Sequence, residues 1–174
     1  DAVTWLAGPS GGFVTGATFN GLTTHAFLFD GVQTVDLGGL PEDGCGGCLL
    51  DSVGRDINNL GEVVGLAFTL SGAARAFVYR QATMVALGTL GGDFSDAQAI
   101  NDKGDVVGIS TLPGGSQRAF VFRSGRMSDL GTLGGSHSAA FAINGARQIA
   151  GCSTEAGDSV QRAFYPAAII DSFA

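Results

Sequence analysis

A single short phrase is written into this chain four times. His25-Ala26-Phe27 returns as Arg75-Ala76-Phe77, as Arg118-Ala119-Phe120 and as Arg162-Ala163-Phe164. The later copies lie 43 residues apart (75 to 118) and 44 apart (118 to 162), while the first interval (25 to 75) is 50 because of a local insertion. A period of this length constrains the fold before any other feature does. The chain must build small equivalent units and stack them, since one such unit cannot bury its apolar face alone. Stacked units present surfaces more often than they enclose one catalytic centre.

Aligning the copies on the Ala-Phe step brings the rest of each unit into register. Leu87-Gly88-Thr89-Leu90-Gly91-Gly92 is repeated letter for letter at 130 to 135, with a shorter version at Leu37-Gly38-Gly39-Leu40. Ala99-Ile100-Asn101 is matched by Ala142-Ile143-Asn144 and by Asp56-Ile57-Asn58. A glycine turn then opens Val-Val-Gly runs at 61–65 and 104–108, with weaker versions at 147–151 and 12–16. The chain thus reads as one array over 1–174, with approximate units 1–40, 49–90, 93–133 and 136–174 and an inserted Cys-Gly loop at 41–48.

Within a unit the local chemistry is that of strands and turns. In the third, Ala97 to Ile100 alternates as a strand and Asn101-Asp102-Lys103-Gly104 reads as a tight turn. Asp105 to Ser110, Arg118 to Phe122 and Arg126 to Leu130 follow as strands, separated by Pro113-Gly114-Gly115 and Ser124-Gly125. No window carries a helical period. Four short antiparallel strands in about 44 residues predict an all-β chain of tandem four-stranded blades, β-propeller-like. A β-solenoid is the alternative, although its rungs are usually shorter. On the blade reading Phe27, Phe77, Phe120 and Phe164 form the repeat core, packed between neighbouring sheets.

These linked motifs, in constant order over nearly the whole chain, resemble the extracellular HAF repeat family, named for the step preserved at His25-Ala26-Phe27. The resemblance implies a secreted or surface-associated bacterial repeat protein with no general activity attached. It implies an extracellular or cell-surface location, with any signal peptide removed and Asp1 as the mature terminus. Three of the four copies carry Arg in place of His. That argues against a function requiring the histidine in every unit, and His25 suits a partly exposed strand end.

Composition closes off several classes. Charged residues are 14% and apolar residues 45% of the chain, unlike a disordered segment. No run approaches the roughly 18 apolar residues of a membrane span. The net charge is −7 and Lys103 is the one lysine, so no basic run exists to neutralise phosphates, which removes nucleic acid from the partner classes.

Candidate chemistry is sparse. Cys45-Gly46-Gly47-Cys48 lacks two further zinc ligands, lacks a histidine for haem attachment where Leu49 stands, and lacks the βαβ setting of a redox pair. A disulfide between Cys45 and Cys48, pinning the loop in an oxidising compartment, remains. Cys152 aligns with Ile109 and reads as a buried free thiol, with an intermolecular or long-range bridge as the other reading. Asp93, Asp96, Asp102 and Asp105 invite calcium, but their spacing is not that of an EF-hand and the set does not recur in the fourth unit. Turn formation and solvation account for them better, and no other cofactor is expected.

No catalytic residue is assigned. Ser136-His137-Ser138 is a loop tripeptide, and neighbours in sequence do not make a nucleophile and base. Carboxylates for glycoside cleavage would have to converge from separate units. The expectation is a non-enzymatic structural or interaction protein that self-assembles through its end units into a ring or filament. The apolar tail with Ile169, Ile170 and Phe173 would complete a sheet in its own or a neighbouring chain. Partners would be copies of itself and a cell-surface or extracellular polymer. The rival is a monomeric carbohydrate- or ligand-binding propeller using Trp5, Tyr79 and Tyr165.

Overall fold

Runs of valine, isoleucine, phenylalanine and threonine, each closed by a tight turn, leave the backbone little choice but short antiparallel strands. The computed structural model describes residues 7–10, 12–19, 21–41 and 50–164. Trp5, Cys45, Cys48, Tyr165, Ile169, Ile170 and Phe173 lie outside the described residues.

The first sheet holds β1 (Ala7–Ser10), β2 (Phe13–Phe19), β3 (Thr24–Phe29) and β4 (Thr34–Asp36). The second holds β5 (Ser52–Ile57), β6 (Val63–Phe68), β7 (Ala74–Arg80) and β8 (Thr83–Ala86). The third holds β9 (Ser95–Ile100), β10 (Val106–Thr111), β11 (Gln117–Arg123) and β12 (Arg126–Asp129). The fourth holds β13 (Gly134–Ile143), β14 (Ile149–Glu155) and β15 (Gln161–Phe164). In every sheet the strands are antiparallel and neighbour one another in chain order. The fold is all-β: the described residues contain no helix and form no closed barrel or propeller.

The repeated phrase occupies the third strand of each sheet, opposite the Val-Val-Gly strand. Register pairs Gly16 with Phe27, Gly65 with Phe77, Gly108 with Phe120 and Gly151 with Phe164. The glycine is required on its other side too. A Cβ on Gly108 would lie 2.1 Å from the Asp96 carbonyl oxygen, where β9 bulges around the extra residue Gln98. Arg55 and Phe141 are the extra residues of the corresponding bulges in β5 and β13.

Sheets then stack through a repeated contact. The first strand of each later sheet lies on the two central strands of the one before: β5 on β2 and β3, β9 on β6 and β7, β13 on β10 and β11. Three apolar layers result. Ala26, Leu37, Ile57, Val63 and Phe77 fill the first; Val64, Ala76, Ile100, Val106 and Phe120 the second; Ala99, Val107, Ala119 and Ile149 the third, with Phe164 against it. Phe77 and Phe120 are fully buried and Phe27 nearly so, while Phe164 is half-buried. Truncating either fully buried ring to alanine would cost about 3–5 kcal/mol.

Two side chains depart from their sequence reading. His25 is buried, and its ring bonds Asp36 on the adjacent strand at 3.0 Å. Cys152 is free but half-buried, and Gln161 Nε2 donates to its sulfur at 3.0 Å.

Candidate functional site

The tight turns after the first strand of the second, third and fourth sheets line up along one rim, because recurring asparagines join them. Asn58 Nδ2 donates to the Asn101 carbonyl at 3.1 Å and to Glu62 Oε2 at 2.6 Å. Asn101 Nδ2 repeats this on the Asn144 carbonyl at 3.1 Å and on Asp105 Oδ2 at 3.3 Å. Each Oδ1 accepts N–H groups two and four residues on, Leu60 and Glu62 for Asn58, Lys103 and Asp105 for Asn101. Asn59 adds a second tie, donating its backbone and side-chain N–H groups to Asp102 at 2.9 and 2.7 Å. Those bonds hold the Asp102 carboxyl below its usual range.

A cleft of about 470 Å³ opens on this rim, lined by Glu62, Arg80, Lys103, Asp105, Arg123 and Arg147 together with Leu60 and Phe122. Asp105 is its fixed point. Buried to 2% exposure, it accepts Arg123 Nε at 2.9 Å and Arg147 Nε at 2.7 Å. Burial alone would raise its carboxyl, but the two guanidiniums and Asn101 outweigh that and hold it below the ordinary value. Arg147 has φ +66° at the turn position where Gly61 and Gly104 have +75°. An L side chain there costs about 1 kcal/mol that glycine does not.

Sequence placed four aspartates together; the structure separates them. Asp96, buried on β9, accepts Arg55 Nη2 at 3.2 Å and Gln98 Nε2 at 2.8 Å through Oδ2, while its buried Oδ1 has no partner among the described residues. Burial raises its carboxyl despite Arg55. Asp93 is exposed in the loop before β9, whereas Asp102 and Asp105 lie beyond the other end of β9, on the rim. No group of three or more His, Cys, Asp or Glu among the described residues could hold a metal.

Ser136 and His137 do meet, with Ser136 Oγ 2.6 Å from His137 Nδ1 and 2.6 Å from Asp158 Oδ2. The order is wrong for a nucleophile relay, in which the imidazole stands between hydroxyl and carboxylate. Here the hydroxyl stands in the middle. The tripeptide lies in strand β13 and not in a loop. Asp158 also takes the Ser136 N–H and Thr154 Oγ1, each at 2.6 Å, so the cluster ties the loop after β14 to β13 and β14. Tyr79, proposed from sequence as a ligand-facing aromatic, packs against the first apolar layer.

The seams between sheets rest on serines that sequence reasoning passed over. The N–H groups of Ala26, Ala76 and Ala119 donate to Ser52, Ser95 and Ser138 of the next sheet, each at 2.9 Å. Arg75 and Arg118 reach across the same seams to the carbonyls of Asp93 and Ser136. The signal was available, since these serines recur every 43 residues (52, 95, 138).

The fourth sheet has the same face, with no further sheet over it among the described residues. Ala99, Val107 and Ala119 of the third sheet are buried, whereas their equivalents Ala142 and Ala163 are exposed and Ala150 is half-buried. Phe141 is 51% exposed beside them. Arg162, in the place of Arg75 and Arg118, turns back to Glu155 of its own sheet at 2.6 Å. No protein-family model matches this chain, and no curated protein sequence matches it.

Proposed function

We propose that this is a non-enzymatic repeat protein whose sheets are propeller-like blades and whose fourth sheet docks a second copy of the chain. One observation carries the reading: the face that the first three sheets each bury under the next is exposed on the fourth. A contact made by one end of a chain on the other end of its neighbour is heterologous, so it closes a ring or grows a filament. The resemblance of the repeats to the extracellular HAF family supports a place outside the cell or on its surface for such an assembly. Inter-sheet layers of the same composition, already used three times within the chain, supply the pattern for the docked interface.

Sedimentation velocity over a dilution series tests this, with Ala163→Glu as the variant. The native chain should gain mass with concentration and the variant should stay monomeric, since a charge on an exposed face harms only a docked state. A native chain that is monomeric at every concentration overturns the proposal.

A further inference from the structure

The rim cleft holds more hydrogen-bond donors than its own acceptors can use. Four of the chain's nine basic side chains, Arg80, Lys103, Arg123 and Arg147, line it, although the net charge is −7. The cleft's carboxylates are already engaged: Asp105 by two guanidiniums and Asn101, Asp102 by Asn59, Glu62 Oε2 by Asn58. Among the described residues no carboxylate pairs with Arg80 or Lys103. Asp105 grips Arg123 and Arg147 through Nε, and no acceptor among the described residues takes their Nη groups. Two forked donors are therefore fixed in place with their outer edges unmatched.

A second observation points the same way. Arg147 adopts a left-handed backbone where the aligned turns use glycine, and its side chain enters this cleft. A residue held in a strained conformation at a cleft is a mark of a working site.

We propose that the cleft binds a carboxylate-bearing oligosaccharide. The guanidiniums and Lys103 take the sugar carboxylates, and the exposed Leu60 offers apolar contact to a ring face, while Phe122 lines the cleft from the second apolar layer. A neutral sugar leaves Arg80 and Lys103 without a carboxylate and the Nη edges of Arg123 and Arg147 without an acceptor, and a small inorganic anion fills only part of a cleft of about 470 Å³. The inference is independent of whether chains assemble, because the cleft lies on the rim and not on the fourth sheet's open face.

Isothermal titration calorimetry of the full chain with an oligogalacturonate, a neutral cello-oligosaccharide and inorganic phosphate decides it. The uronate should bind, more weakly as salt is raised, and the neutral sugar should not. Replacing Arg80 and Lys103 together by serine should weaken uronate binding about tenfold or more and leave the melting temperature unchanged, since both are exposed and unpaired. Absence of uronate binding, equal binding of the neutral sugar, or an unchanged affinity in the double variant overturns the proposal. Binding of phosphate as tight as that of the uronate overturns the sugar assignment.

Discussion

Replacing Ser95 by alanine isolates the hydroxyl that joins the second sheet to the third. Its Oγ accepts the Ala76 N–H at 2.9 Å and donates to the Gly88 carbonyl at 2.6 Å, and both Ser95 and Ala76 are fully buried. Alanine fits the space, so packing changes little. What is lost is two hydrogen bonds of about 1 kcal/mol each. The Ala76 N–H is also left buried without that acceptor, which alone costs about 1–3 kcal/mol. Taken together, without counting the same bond twice, the variant should be about 2–4 kcal/mol less stable. In a chain of 174 residues that lowers the melting temperature by roughly 5–15 °C. Urea unfolding followed by circular dichroism measures the loss, and hydrogen exchange should show the Ala76 amide deprotected. Ser52→Ala and Ser138→Ala, at the neighbouring seams, should behave alike. A change below about 0.5 kcal/mol, within the range of ordinary surface substitutions, would refute the seam argument.

Other expectations are narrower. Gly108→Ala places a methyl 2.1 Å from the Asp96 carbonyl, so it should destabilise by about 3 kcal/mol or more, while Gly114→Ala, with open space around it, should be near neutral. Equal unfolding midpoints for the two would contradict that. Ala82 has φ +59° in the two-residue turn between Arg80 and Thr83, so Ala82→Gly should raise stability by about 1 kcal/mol. A lower midpoint would be the wrong sign. The Ser136 hydroxyl, then Thr154 and the Ser136 N–H, hold the Asp158 carboxyl at about 2. Because its folded value lies below the ordinary 3.8, its contribution is present above 3.8 and is lost as the pH falls towards about 2. Carboxyl-carbon NMR should show that titration, and Ser136→Ala should move it upward; a value near 3.8 in the native chain would contradict the assignment.

The strands were legible in the sequence because each is short, bounded by turn residues and repeated. The run Arg126 to Leu130, read as a strand from its neighbours Ser124-Gly125, is β12 to within one residue. Side-chain burial was less legible, because it depends on which sheet covers which. His25 was read from its exposed-looking Arg counterparts, yet Asp36, which pairs with the ring, stands on a different strand. The four aspartates looked like one cluster because they are close in sequence, but β9 carries Asp96 into the interior and leaves Asp102 on the rim. The cleft was invisible for the opposite reason. Its cations come from three sheets, from Arg80 to Arg147, and meet only because the asparagine turns are aligned.

Electron microscopy of the purified full chain asks most directly whether the open face of the fourth sheet receives a second copy. Rings or filaments of the native chain, reduced to single particles by Ala163→Glu, are the predicted result. Single particles of the native chain at every concentration, or assemblies that persist unchanged in the variant, would contradict docking through that face.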